Sequence, residues 1–104
     1  KGLDKSLLSD FEVVVRFADG AIDFTAAERD RLLESLQPMT RSGKTDILVE
    51  VPAGFSEAKR LGFYRAMAVR NLLIELDLPR DDIDVKVVEG DNKANASVVR
   101  VRKP

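Results

Sequence analysis

The segment from Glu57 to Leu76 has the longest uninterrupted helical periodicity in the chain, and it restricts the possible folds more than any other stretch. At about 100° per residue, one narrow stripe of this segment is apolar apart from a single position. The stripe consists of Ala58, Leu61, Arg65, Val69, Leu72 and Leu76. Ser56 is a suitable N-cap, and Leu78-Pro79 ends the periodic pattern. We therefore predict a long helix that packs this stripe on a sheet.

Arg65 interrupts the apolar stripe and needs an explanation of its own. A guanidinium in an apolar layer costs several kcal/mol unless it is paired or reaches water. In one interpretation, Arg65 extends to the edge of the sheet or pairs with a structural carboxylate. In the other, it presents its planar fork to the carboxylate of a ligand.

The opposite side of the same helix is also partly apolar. Phe63, Met67 and Ile74 form a second stripe, which Arg70 interrupts. Apolar residues on both sides of a helix indicate that the outer side is covered as well. We expect the cover to come from the leucines of residues 1–10, or from an interface with another subunit or with the rest of a larger parent protein.

The rest of the chain alternates between strand and helix signals. Strands are predicted at residues 11–17, 47–51, 82–89 and 96–102, and a helix capped by Thr25 and Glu28 runs to about Leu36. The nearly continuous apolar run at 47–51 favours a central strand, and the last two strands look like an antiparallel hairpin. The predicted fold is an α+β two-layer sandwich in the order β-α-β-α-β-β, with a four-stranded mixed sheet and two helices on one face. We expect residues 1–10 to be a flanking segment and 11–104 to form a single domain.

Several classes of function are disfavoured by what the chain lacks. It contains no cysteine and no histidine, which excludes thiolate chemistry, histidine bases and the commonest zinc sites. No pair of acidic residues has a spacing that indicates an acid and a base, and no phosphate-binding loop is complete. A net charge of -1 argues against nucleic-acid binding, and no apolar run is long enough to span a membrane. We expect neither an enzyme nor a cofactor or metal.

The long helix carries a family resemblance. Its Arg65-Ala66-Met67-Ala68-Val69, followed by Leu73, matches the pattern RAxAVxxxL, and in it the chain resembles the OmpA-like C-terminal domain of bacterial cell envelopes. The resemblance implies the β-α-β-α-β-β fold and a location in the periplasm or cell envelope. It also implies that Arg65 helps to bind the diaminopimelate carboxylate of the peptidoglycan stem peptide.

The chain departs from this family at the other half of that site. Where the family has a GHTD-like sequence, whose aspartate binds the ligand ammonium, this chain has Val51-Pro52-Ala53-Gly54. The resemblance therefore implies a structural or protein-interaction module of a larger envelope protein, for example in a secretion assembly, with a degenerate peptidoglycan site. Its partners would be other envelope proteins, the rest of the parent chain or a second copy. The alternatives are a working peptidoglycan anchor, with Glu50 or Glu57 as substitute acid, and a cytosolic α/β module.

Overall fold

The elements follow each other in the predicted order. The computed structural model describes residues 12–40, 44–54, 56–90 and 97–103. Within these residues the elements are β1 (Glu12–Arg16), α1 (Ala26–Leu36), β2 (Thr45–Pro52), α2 (Glu57–Glu75), β3 (Ile83–Gly90) and β4 (Val98–Arg102). Short 3-10 helices at Gln37–Thr40 and Arg80–Asp82 precede β2 and β3. The prediction of an α+β fold with a mixed sheet and two helices is confirmed.

The strand order of the sheet is β1-β4-β2-β3. β2 and β3 are parallel and are joined by α2, whereas β4 is antiparallel to both of its neighbours, β1 and β2. The predicted hairpin of the last two strands is therefore wrong. The crossover helix α2 allows β3 to pair in parallel with β2. β4 then pairs with β1 and β2 and lies between them.

β4 is an interior strand of the sheet, although its outward side chains are charged. Val99 and Val101 are fully buried on the helix side of the sheet. On the other side, Arg100 and Arg102 both form ion pairs with Glu12 of β1, at 3.5 and 3.0 Å. Glu12 thus offsets the charge of both arginines on the exposed face of the sheet. This pairing allows a strand with two arginines to occupy an interior position.

The core lies between the sheet and α2. Alternate residues of the strands point toward the helix, and they include Val15, Ile47, Val49, Val51, Val99 and Val101. From α2, the fully buried Ala66, Val69 and Leu73 pack against them. Leu36 of α1 is buried, and Leu32 and Leu33 pack against the core as partly buried residues. The predicted central position of β2 and the inward stripe of α2 are confirmed.

The starts of both helices follow from local sequence. The Thr25 hydroxyl accepts a hydrogen bond from the Glu28 amide at 3.2 Å, and the Glu28 carboxylate accepts one from the Thr25 amide at 2.9 Å. This is the predicted capping box. At the start of α2, the Ser56 hydroxyl accepts a hydrogen bond from the Lys59 amide at 3.1 Å, which confirms Ser56 as the N-cap.

The end of α2 is a Schellman motif. The Leu78 amide donates to the Leu73 carbonyl at 3.1 Å, and the Asp77 amide donates to the Ile74 carbonyl at 2.9 Å. Asp77 has a φ of 71°, the left-handed conformation that usually belongs to glycine at this position. The buried pair Leu73 and Leu78 supplies the hydrophobic contact of the motif.

Some predictions concern residues outside the described ranges. They are the flanking segment 1–10 with its leucines, Phe11 of the first predicted strand and residue 96 of the last predicted strand. Among the residues that the structure describes, no helix has the length and apolar character needed to cross a membrane.

Candidate functional site

Arg65 lies beneath the segment that connects β1 to α1, and it is only 3% exposed. Nε donates a hydrogen bond to the Ala21 carbonyl at 2.7 Å, and Nη2 donates one to the Ala18 carbonyl at 3.1 Å. The guanidinium carbon is 5.4 Å from the centre of the Phe17 ring. The cost of burying this cation is therefore offset by two charge-assisted hydrogen bonds and a cation–π contact.

The segment that Arg65 holds is a tight turn. Gly20 has a φ of 72°, and the Ala21 amide donates to the Ala18 carbonyl at 3.1 Å. The Ala18 carbonyl thus accepts from both the turn and Arg65. On either side of the turn, the rings of Phe17 and Phe24 are 5.2 Å apart. Two short-range signals, a glycine and flanking aromatics, form the turn, and a side chain from a distant helix fixes it.

A surface hollow of about 430 Å³ lies beside this turn. Its lining includes Arg16, Asp23 and Glu28 as charged groups, with Phe17 and Phe24 as aromatic ones. Arg65 is not among the lining residues, since its guanidinium is covered by the turn itself. A molecule in this hollow would first meet Arg16 rather than Arg65.

The three residues expected to bind peptidoglycan are not brought together. Glu50 alternates with the buried Val49 and Val51, so it lies on the face of the sheet opposite α2, where its carboxylate approaches Gly90. Glu57 begins α2 and forms an ion pair with Arg60 at 2.7 Å. Eight residues, or about two helical turns, separate Glu57 from Arg65. The roles of these residues in ligand binding stay predictions.

One carboxylate near the start of α2 is not distinguished by any sequence pattern. Glu89, at the end of β3, accepts a hydrogen bond from Lys59 Nζ at 2.8 Å. Lys59 is the main cause that lowers the pKa of Glu89, and a hydrogen bond from the Gly54 backbone lowers it further. Glu89 thus connects β3 to the loop before α2, the place where the family resemblance leads one to expect an aspartate. The alternation of side chains along β3 places Glu89 on the helix side of the sheet. Its contact with Lys59, however, depends on the parallel pairing of β2 and β3.

The predicted interface residues differ in their surroundings. Phe63 is 49% exposed, and its ring lies edge-on to that of Tyr64, 6.2 Å away. Met67 is half-buried on the same side of α2. Ile74 is also half-buried, and it packs against the core. Their role as an interface stays a prediction.

A groove of about 360 Å³ lies beside these residues, between α1, α2 and the segment before α1. Tyr64, Met67, Asn71 and Leu72 form its α2 wall, and Ile22 borders it on the other side. An ion pair between Arg29 of α1 and Glu75 of α2 joins the two helices. Within the described ranges, no group of three acidic residues is close enough to hold a metal ion.

Comparison with known proteins gives matches in structure alone. No protein-family model matches the chain, and no curated protein matches its sequence. The chain is similar to the OmpA-like domain of FopA1 from Francisella tularensis subsp. tularensis SCHU S4, with a TM-score of 0.62 and 13% identity over 88% of this chain and 70% of that one. It matches the periplasmic domain of Helicobacter pylori MotB with a TM-score of 0.64 and 9% identity, over 90% of this chain and 75% of that domain. The peptidoglycan-associated lipoprotein from Burkholderia pseudomallei gives a TM-score of 0.55 and 20% identity, over 86% of each chain.

Proposed function

We propose that this chain, a domain with the OmpA-like fold, is a non-catalytic scaffold or protein-interaction module of a larger bacterial envelope protein, with a degenerate peptidoglycan site. The observation that carries the proposal is the surroundings of Arg65. Its Nε and Nη2 groups donate to the Ala21 and Ala18 carbonyls, and the residue is 3% exposed. A ligand carboxylate would have to displace these backbone acceptors and open the turn.

The second half of a clamp for a stem peptide is also compromised. A ligand ammonium needs a carboxylate near Arg65, and the segment from Val51 to Gly54 supplies none. Glu89 is near this segment, but Lys59 already neutralises it. Glu50 lies on the far face of the sheet. These arrangements favour a domain that has kept the OmpA-like fold but has a function other than binding peptidoglycan.

The envelope location is supported by the structural neighbours, which include a periplasmic domain and a peptidoglycan-associated lipoprotein. The second of these also favours another candidate function, a working peptidoglycan anchor that uses Arg65. Because fold does not define function, the two candidates must be separated at the site itself.

The experiment that separates the two candidates is a titration of the isotope-labelled domain with a soluble stem peptide that contains diaminopimelate. Binding is monitored through the amide chemical shifts of the domain. We expect no saturable shift at millimolar peptide for the segment 17–24 or for Arg65. Saturable shifts in that segment would refute a degenerate site, provided that Arg65→Lys abolishes them and the exposed control Arg60→Lys does not. Retention of the wild-type domain on purified cell walls, with release by free diaminopimelate, would count against a degenerate site by an independent route.

A further inference from the structure

The outward side of α2 carries exposed apolar side chains. We define the outer face as Arg60, Phe63, Tyr64, Met67, Arg70, Asn71, Ile74 and Glu75. Phe63 and Tyr64 are 49% and 47% exposed, and Ile22, which borders the adjoining groove, is 43% exposed. Single exposed apolar residues are ordinary, but a contiguous group of this kind marks an interaction surface.

We infer that the outer face binds the same face of a second copy of the chain, with the two α2 helices antiparallel and Met67 at the two-fold axis. The inference deepens the proposed scaffold role, on which it rests, by naming the partner of the interaction surface. A two-fold interface must be self-complementary, so each residue of the outer face has to suit the residue that symmetry places opposite to it.

Symmetry about Met67 brings together positions that lie at similar distances from it in opposite directions and on the same side of the helix. Phe63 lies four positions before Met67 and Arg70 three after it, and at about 100° per residue both fall on the same side of the helix. Phe63 therefore faces Arg70 of the second copy, where a guanidinium can stack on an aromatic ring. By the same geometry, Tyr64 faces Asn71 of the second copy, whose side-chain amide can hydrogen-bond to the Tyr64 phenol.

The charges at the ends of the outer face are complementary as well. Arg60 lies seven positions before Met67, and Glu75 lies eight after it, so they meet across the antiparallel pair. Glu75 and Arg60 already pair within the chain, with Arg29 and Glu57, but all four side chains are partly exposed. The Glu75 carboxylate can therefore accept from a second arginine, and Arg60 can donate to a second carboxylate. A parallel pair would instead place Arg60, which lies near the centre of the outer face, against its own copy. Like charges in contact disfavour that orientation.

The size of the outer face determines the expected affinity of the dimer. α2 has 19 residues, and one helical face with its bordering loop is at the small end of specific interfaces. We therefore expect a reversible dimer with a dissociation constant of about 10–100 µM.

The absence of cysteine in the chain allows a clean crosslinking test. Facing helices about 8–10 Å apart place residues at a two-fold axis within the range of Cα separations that a disulfide spans. Under mild oxidation, Met67→Cys should form a disulfide dimer at least about tenfold faster than Asp84→Cys. Asp84 is an exposed control on β3, on the face of the sheet away from α2. Equal rates for the two variants would overturn the inference.

Sedimentation equilibrium provides the second readout, with far-UV circular dichroism to verify the fold of each variant. Wild type should show a monomer–dimer equilibrium, and Arg60→Glu and Glu75→Arg should each weaken it about tenfold. The double variant should restore association, because the opposite charges are exchanged across the axis. A wild type that stays monomeric at about 1 mM, or a double variant as weak as the singles, would refute the arrangement. The stem-peptide titration monitors Arg65 and segment 17–24 instead, so either proposal can fail alone.

Discussion

Replacing Arg65 by lysine should separate its packing role from its charge. The lysine ammonium keeps the positive charge but reaches only one of the two carbonyls that Nε and Nη2 now satisfy at 2.7 and 3.1 Å. A hydrogen bond from a charged donor contributes about 1.5–3 kcal/mol, and the contact with the Phe17 ring adds about 0.5–1 kcal/mol. We therefore expect Arg65→Lys to lower the free energy of unfolding by about 2–4 kcal/mol.

The assay is urea denaturation of Arg65→Lys beside wild type and the exposed control Arg60→Lys, with equal m-values as a check on two-state behaviour. At about 4–8 °C per kcal/mol, the melting temperature should fall by roughly 8–32 °C. The control should change stability by less than about 0.5 kcal/mol. The Ala21 amide, which donates to Ala18 in the same turn, should exchange faster in Arg65→Lys. If Arg65→Lys is as stable as the control variant, Arg65 does not hold the turn.

Three further predictions concern other described residues. The Thr45 hydroxyl is buried and has no hydrogen-bond partner among the described residues, so Thr45→Val should stabilise the domain by about 1 kcal/mol in urea denaturation, whereas Thr45→Ser should destabilise it. Asp77 has a φ of 71°, so Asp77→Gly should raise the unfolding free energy by about 0.5–1 kcal/mol, and Asp77→Ala should not. Lys59 lowers the pKa of Glu89 in the folded chain below its ordinary 4.5. The Glu89 carboxylate therefore stabilises the fold above pH 4.5, and this stabilisation is lost as the pH falls through the pKa of the folded state. Wild type should therefore be more stable than Glu89→Gln at pH 7, with the difference vanishing on acidification, as measured by thermal unfolding at a series of pH values; a difference that grows toward low pH would contradict the assignment.

Most of the secondary structure was accessible from the sequence because its causes are local. Thr25 with Glu28 caps α1, and Ser56 caps α2, through bonds that span only three residues. The alternation in the strands and the stripe of α2 reflect the geometry of single elements. The family resemblance was accessible for the same reason, since its most specific motif lies within one helix.

The candidate site was only partly accessible. Arg65 was singled out because a charged residue in an apolar stripe is anomalous within one helix. Its acceptors could not be found from sequence, since the carbonyls of Ala18 and Ala21 have no side-chain signature and lie 47 and 44 positions away. Glu89 was missed for a related reason, because its contact with Lys59 requires β3 to be parallel to β2.

From the sequence alone one can derive which segments are helices and strands, where the helices start and which side of α2 enters the core. These properties follow from side-chain periodicity and from hydrogen bonds between near neighbours. The strand order, with β4 between β1 and β2, and the surroundings of Arg65 are properties of the folded chain that the sequence did not reveal. Both depend on contacts between residues far apart in the chain, such as Glu12 with Arg102 and Arg65 with Ala21, whose pairing no local pattern encodes.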